Sequence, residues 1–490
     1  MTYSADALQA LKALAERLGP QGWWQPGTAE ADQALQPHLT DWRQRYSGKA
    51  LAMARPLDTA QVVDVVSTCA AHGISIVPQG GNTGLVGGSV PDNSGTQLVL
   101  NLQRMQRIRH TDAGNLSLVA EAGCTLAAVQ AAADAQGLLF PLSLASEGSC
   151  TIGGNLATNA GGTQVLRYGT ARELCLGLEA VMADGRVWNG LTSLRKDNSG
   201  YALKDLLVGS EGTLGIITAA SLKLYPKPAG QACALVACQT LEQAHELLKL
   251  ARQQLNAGLV AFEAMAQLPV QLLMKHLPQA AACLKPLVQT DTGTLPCWTL
   301  LVEVVSAVSD AHAEQVLAQW LEGGMNNGLA FDGVMANSLA QQQAMWHMRE
   351  SIPLAEKTEG RMVKHDIAVP TSSMARFVAT CGRLIAERWP LAQVVCFGHL
   401  GDGNLHYNVQ PAPMQQGADF ESFETAVNAV VFEQAVAEGG SISAEHGIGL
   451  LRSQQLPAYK DATAMQLMHQ IKLALDPQNL LNPSRVLHCP

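Results

Sequence analysis

The sequence predicts an α+β protein built from more than one packed unit, and three observations carry that expectation. A chain of 490 residues is too long for one ordinary core. Glycine-rich stretches follow short apolar strands in its earlier part. Beyond Pro226 and Pro228, apolar strands alternate with amphipathic helices in the manner of an antiparallel sheet.

Residues 1–45 read as a helical lead-in, with Leu8, Leu11, Leu14 and Leu18 on one face and a break at 19–27 rich in Gly, Pro and Trp. A helix begins at Thr59, with Asp58 or Thr59 as its cap. Ile74–Pro78 and Gln97–Leu102 read as strands, Thr125–Ala135 as an alanine-rich helix. Residues 177–188 read as two strands around an Asp184-Gly185 turn. A further strand ends at Tyr225, and the two prolines after it mark a boundary. Strands at 234–237 and 300–304 and helices at 241–255 and 311–321 follow; the last helix spans 464–475 and stops at Asp476-Pro477. The expected organisation is therefore 1–45, 46–227, 228–460 and 461–490.

Composition narrows the function classes. Apolar residues make up 47% and charged residues 15%, which is globular and not disordered. The net charge of -9 argues against a general nucleic-acid or anionic-membrane binder. No basic segment precedes an apolar run at the N-terminus, and no apolar run approaches a membrane span, so a cytoplasmic location is expected. The 11 cysteines are scattered without C-x-x-C and read as reduced, mostly buried thiols.

Three glycine-rich segments carry chemistry. Pro78–Gly88 holds five glycines in eleven positions directly after a strand. A diphosphate needs several backbone N–H groups turned toward it with no Cβ in the way, and Asn82 and Thr83 add side-chain donors. The segment is neither a P-loop nor a G-x-G-x-x-G opening a helix. Alone it could be a structural turn. A second such stretch, Gly153–Gly162, and a third around Glu211–Ile216 point instead to a long ligand held at several places.

Together with Gly148–Tyr168, Gly209–Ile217, Gly398–Asn408, Ser443–Gly449 and Asp476–Pro483, Pro78–Gly88 resembles the FAD-linked oxidase family with the vanillyl-alcohol-oxidase type of flavin domain. The branch is similar to D-2-hydroxyglutarate and D-lactate dehydrogenases and the large subunit of glycolate oxidase, and the resemblance spans nearly the whole chain. It implies a two-subdomain FAD-binding domain, an α+β substrate (cap) domain with an antiparallel sheet, and a C-terminal segment returning to the flavin. It implies the FAD pyrophosphate on Gly80, Gly81, Asn82, Thr83 and Gly84. The flavin would lie near Thr151, Gly153, Gly154, Asn155, Asn159 and Ile217, and Gln79, Gly148, Gly212 and Asn482 complete the cofactor-binding set. Members that bond flavin covalently often use a histidine where this chain has Asn82, so the FAD is expected to be non-covalent.

Residues 398–408 hold His399 and His406 between apolar strands. Gly401 and Gly403 disfavour a helix. Asp402-Gly403 at the centre of a two-residue hairpin turn would pair His399 with His406, their Cβ atoms roughly 5 Å apart, close enough to share a divalent metal. Glu445 offers a third ligand, and His446 beside it would point the other way on an extended chain. The resemblance implies these same roles, with His446 as general base. Two imidazoles and one carboxylate favour zinc, with manganese and iron as alternatives. The bland alternative is buried, hydrogen-bonding histidines.

The chemistry expected is oxidation of a D-2-hydroxy acid to its 2-oxo acid. The metal acidifies the hydroxyl, His446 takes its proton, and hydride from C2 goes to flavin N5. The resemblance places Arg349, Lys364 and Asn408 on the substrate; solvated basic residues are the alternative for the first two. One position departs from the 2-hydroxyglutarate branch. Four residues after the arginine that branch has a threonine, and this chain has Pro353, which has no donor and moves weight toward D-lactate. Rival readings are a metal hydrolase without flavin, a non-catalytic subunit of a flavin complex, and an alcohol or aryl-alcohol oxidase on the same fold. An electron-transfer flavoprotein, quinone or cytochrome is the expected acceptor, and a homodimer the family-level expectation.

Overall fold

The computed structural model of the protein describes residues 3–288, 295–413, 417 and 419–488; the ends of the expected terminal segments, 1–2 and 489–490, lie outside these. The chain forms two compact units. Unit 1 comprises Met1–Gly162, Gly169–Lys227 and Glu445–Pro490, and unit 2 comprises Thr163–Tyr168 and Pro228–Ala444.

In unit 1 the lead-in helix Ala5–Leu18 starts at Ser4, whose hydroxyl accepts from the Ala7 N–H, and it buries Leu11, Leu14 and Leu18. Helix Thr59–His72 is capped by Asp58 and ends at Gly73 in the left-handed conformation. These helices share one core with a four-stranded sheet ordered Trp23–Trp24, Ala50–Ala54, Gln97–Asn101, Ile76–Gln79, the last three parallel. A five-stranded antiparallel sheet runs Ile108–Asp112, Ser117–Glu121, Ile216–Lys223, Cys175–Val181, Val187–Gly190. Its Val181 and Ile216 enter the same core. The expected turn is there: Val181 pairs with Val187 and Gly185 carries φ +84.

The C-terminal helix Ala462–Leu475 leads back to the parallel sheet, where Ile76 N–H donates to Leu480 O and Asn482 N–H to Ile76 O. Lys472, 8% exposed, locks this return by donating to Thr213 O, Leu481 O and, at 2.5 Å, to the Asp476 carboxylate. Asp476 accepts in turn from the Leu480 and Leu481 N–H groups. A buried pair satisfied this fully stabilises a fixed geometry, and removing either member costs about 3–5 kcal/mol.

Unit 2 is a seven-stranded antiparallel sheet ordered Asp332–Met335, Gly230–Cys238, Trp298–Ser306, Leu259–Ala266, Gln393–His399, Asn404–Gln410, Asp366–Ala368. Side chains alternate between its faces. One face packs Cys233, Leu235, Leu301, Val395 and Phe397 against helices Gln267–His276, Leu339–Glu350 and Ile352–Glu359. The other meets helices Asp310–Asn326 and Met374–Arg388, through Phe262 on Trp320 and Tyr407 on Phe377.

The division differs from the expected spans in two places. The chain re-enters unit 1 at Glu445, not at 461, because its next residues bond there: Gly162 N–H donates to Glu445, Ile448 and Gly449 N–H to Glu211, and Leu450 N–H to Val86 O. Residues 163–168 belong to unit 2, where Leu166 fills the space left by the missing side chain of Gly401. Among the described residues ten cysteines are unpaired and eight of them are buried; burial pushes the Cys69 thiol up to about 12.

Candidate active site

In unit 1 the three glycine-rich segments converge. A Cβ at Gly80 would lie 2.2 Å from Thr151 Oγ1, and one at Gly81 only 1.9 Å from the Ser149 carbonyl oxygen. One at Gly212, which has φ +70, would lie 2.4 Å from Pro78 Cγ. These glycines let the segments touch one another. A Cβ added at Gly84 or Gly148 would meet no heavy atom of the described residues within 4 Å. Thr151, in the second segment, is 2% exposed, and its buried hydroxyl has no partner among the described residues. A buried orphan hydroxyl against Gly80, in segments that leave room at Gly84 and Gly148, fits a polar ligand such as FAD.

Two expected cofactor-binding side chains are used internally. Both N–H bonds of the Asn82 amide go to Pro37 O and Thr40 O, and its oxygen accepts from Ser89. The expectation of an Asn82 side-chain donor to phosphate is therefore corrected: the left-handed loop residue (φ +54) anchors the lead-in. Gln79 likewise donates to His38 O and Ser89 O and accepts from His38 and Asn101, so its side chain is structural. Gly153 donates to Ala122 O and opens the short helix Ile152–Ala157, which carries Gly154 and the buried Asn155. Asn159 accepts from Thr170 and the Arg172 N–H. Ile217 is buried on its strand opposite Ala180. Asn482, at φ +45, donates to Gly88 O and Glu211 O, tying the returning segment to two cradle loops. Thr83 is partly exposed in the first loop.

Glu445 and His446 stand in unit 1. Glu445 Oε1 accepts from Gly162 N–H at 2.8 Å, at the end of the second glycine segment. The turn after His446 is held by Glu211, whose two oxygens accept from Ile448 and Gly449 N–H at 2.7 and 2.8 Å. Burial pushes the Glu211 carboxyl up to about 7, against those two bonds and the Arg452 charge.

The histidine pair stands in unit 2, and its register corrects the expected one. His399 pairs with Asn404, and His406 with Phe397, so the connection has four residues, Leu400–Gly403. A two-residue type I′ turn needs positive φ at both central positions, and only Gly403 (φ +93) has it; Gly403 N–H instead closes the loop onto His399 O. The shift is two residues, an even number, so both imidazoles stay on one face, ring centroids 5.9 Å apart. Asn408, opposite Val395, shares that face.

Two buried carboxylates, which no motif indicates, organise this face. Glu263 lies opposite His399 on the neighbouring strand. His399 Nδ1 is 2.6 Å from Glu263 Oε1, and Arg349 Nε donates to Oε2 at 2.7 Å. Burial opposes ionisation of Glu263, but the His399 and Arg349 charges and hydrogen bonds hold it below the usual carboxylate range. Glu356, 1% exposed, receives Lys364 Nζ at 2.8 Å and Asn408 Nδ2 at 2.6 Å. Arg349 is 6% exposed, and its Nη2 has no partner among the described residues. A lone Glu in the apolar strand Leu259–Ala266 was the one available signal for Glu263, since a buried acid needs partners. Glu356 gave none, sitting in an ordinary amphipathic helix.

Two family models cover most of this chain. FAD linked oxidases, C-terminal domain, matches residues 227–486, and FAD binding domain matches 50–190. The chain belongs to the FAD-linked oxidase family. This FAD-linked oxidase is 37% identical to a D-2-hydroxyglutarate dehydrogenase of Xanthomonas citri pv. viticola, over 92% of each chain. It is also 37% identical to the mitochondrial D-2-hydroxyglutarate dehydrogenase of Bos taurus, over 94% of this chain and 81% of the relative. Its fold is that of p-cresol methylhydroxylase (TM-score 0.75, 15% identity, 99% and 98% of the two chains). Alkyldihydroxyacetonephosphate synthase shares it too (TM-score 0.72, 14% identity, 98% and 85%). The expected α+β, FAD-binding fold class is the one found. Among the described residues no helix is long and apolar enough to cross a membrane.

Proposed function

We propose that this FAD-linked oxidase dehydrogenates a D-2-hydroxy acid to the 2-oxo acid. The observation that carries the reading is Arg349: a buried guanidinium, aimed by Glu263, whose Nη2 has no partner among the described residues, packed on the sheet face that holds His399, His406 and Asn408. Such a group suits a carboxylate. The relatives named D-2-hydroxyglutarate dehydrogenase support the substrate class.

Gly80, Gly81, Thr83 and Gly84, with the Asn82 backbone, would hold the FAD diphosphate, and Thr151, Gly153, Gly154, Asn155, Asn159 and Ile217 the flavin. No histidine stands at Asn82, so the FAD is non-covalent. His399, His406 and Glu445 would hold a divalent metal, zinc by donor type. Bound FAD supplies a two-electron acceptor and the metal Lewis acidity. The chain's own groups do the rest. Arg349 and Lys364 neutralise carboxylate and orient it, Asn408 adds an amide, and His446 accepts the hydroxyl proton. Reoxidation by an electron-transfer flavoprotein, quinone or cytochrome, a homodimer and a cytoplasmic location belong to the same proposal.

A short monocarboxylate such as D-lactate is a second reading, favoured by Pro353. This residue stands in the first turn of helix Ile352–Glu359, where a missing N–H costs nothing, so replacing it leaves the helix intact. The test is kcat/KM with a dye acceptor for the D and L forms of lactate and 2-hydroxyglutarate. Turnover of D forms only, abolished by chelation, is expected; turnover of L forms alone would refute the reading. Pro353→Thr should raise the ratio of 2-hydroxyglutarate to lactate about tenfold, or about 1.4 kcal/mol.

A further inference from the structure

Glu263 touches both halves of the site face yet belongs to no motif. Its strand, Leu259–Ala266, is otherwise apolar, and the carboxylate is 1% exposed. An acid so placed persists only with strong partners, and it has two: His399 Nδ1 at 2.6 Å on one oxygen and Arg349 Nε at 2.7 Å on the other. An ionised carboxylate only accepts, so the imidazole proton sits on Nδ1. Arg349 is fixed a second time by Phe397, whose ring centre is 5.1 Å from the guanidinium carbon.

We propose that Glu263 is a positioning residue that ties metal binding to substrate-carboxylate binding, presenting His399 through Nε2 as a ligand while aiming Arg349. The inference rests on the reading of His399 as a metal ligand. A carboxylate behind a ligating histidine sets its tautomer and ring rotation and makes it a stronger donor; losing such a partner commonly weakens metal binding about 10- to 100-fold. Because the same carboxylate orients Arg349, its loss should also misplace the substrate anion. Neither effect follows from burying an acid as such. Glu303 supplies the comparison: it lies on the same sheet face, and its carboxylate accepts from Trp346 Nε1 at 2.7 Å.

The test uses the full-length FAD-loaded protein, stripped of metal and titrated with Zn2+ against a chromophoric chelator. Wild type, Glu263→Gln and Glu303→Gln are compared, with kcat and KM for D-lactate and D-2-hydroxyglutarate measured in parallel. The expected result is Zn2+ affinity at least about tenfold weaker in Glu263→Gln, with a raised KM and retained FAD, and affinity in Glu303→Gln within about twofold of wild type. Unchanged Zn2+ affinity in Glu263→Gln overturns the proposal, as does an equal loss in Glu303→Gln. A wild type that binds no Zn2+ overturns the metal reading itself, which is a distinct outcome. Should Glu263→Gln not fold, Glu263→Asp replaces it: the charge remains, the reach shortens by one methylene, and unchanged affinity and KM again overturn the proposal.

Discussion

On the proposed reading, the glycine-rich segments of unit 1 and the side-chain face of unit 2 would hold anionic ligands by opposite means. The unit 1 site is backbone: glycines pack three segments together around the buried Thr151 hydroxyl and leave room at Gly84 and Gly148. The face is side chain: Arg349 and Lys364 are each held by a buried carboxylate, Glu263 and Glu356. A backbone site demands shape and tolerates no Cβ. A side-chain site demands charge balance, because a buried cation without its acid is costly. Substitutions should therefore fail differently in the two places.

Arg349→Met should give the largest effect. It removes the clamp and leaves Glu263 with His399 alone, so kcat/KM should fall by about 100-fold or more, about 3 kcal/mol, mainly through KM. A fall in kcat with KM unchanged would break the contrast. Gly81→Ala should come next, destabilising unit 1 by about 2 kcal/mol and lowering the flavin-to-protein absorbance ratio, because its Cβ meets the Ser149 backbone. Gly84→Ala sharpens the point: apoprotein stability should change by less than about 1 kcal/mol, while FAD affinity falls. Equal loss of stability in the two variants would show that glycine spacing, not contact, matters.

The smallest effect is on pH dependence. Burial raises the Glu303 carboxyl to about 7, with only the Trp346 N–H opposing. A raised carboxyl pKa means the folded state binds the extra proton, so its contribution is full below the unfolded value, near pH 4.5, and is lost as pH rises through about 7. Glu303→Gln should flatten that slope, gaining on the order of 1 kcal/mol over wild type at pH 8 and nothing at pH 4. Glu263, held by His399 and Arg349, lies below the usual range and so acts in the opposite sense.

The same contrast explains what the sequence disclosed. Glycine spacing is written in the chain, so the glycine-rich segments were legible, as were the helix start at 58–59, capped by Asp58, and the turn at Gly185. The use of Asn82 and Gln79 was not, because their partners, Pro37, His38 and Thr40, lie about 40 residues away and carry no pattern. His399 and His406 were visible as a pair, but their register depended on loop geometry: Asp402 does not take the positive φ that a two-residue turn requires. Glu263 and Glu356 stayed hidden because strand pairing and helix packing, not local sequence, set their partners.

The most direct test of the central claim is anaerobic mixing of the FAD-loaded protein with D- and L-2-hydroxy acids while flavin absorbance is followed, in wild type and His446→Ala. The account predicts rapid bleaching by a D-acid alone, slowed about 100-fold or more in His446→Ala. Flavin that stays oxidised with every 2-hydroxy acid, or bleaches equally fast without His446, would contradict it.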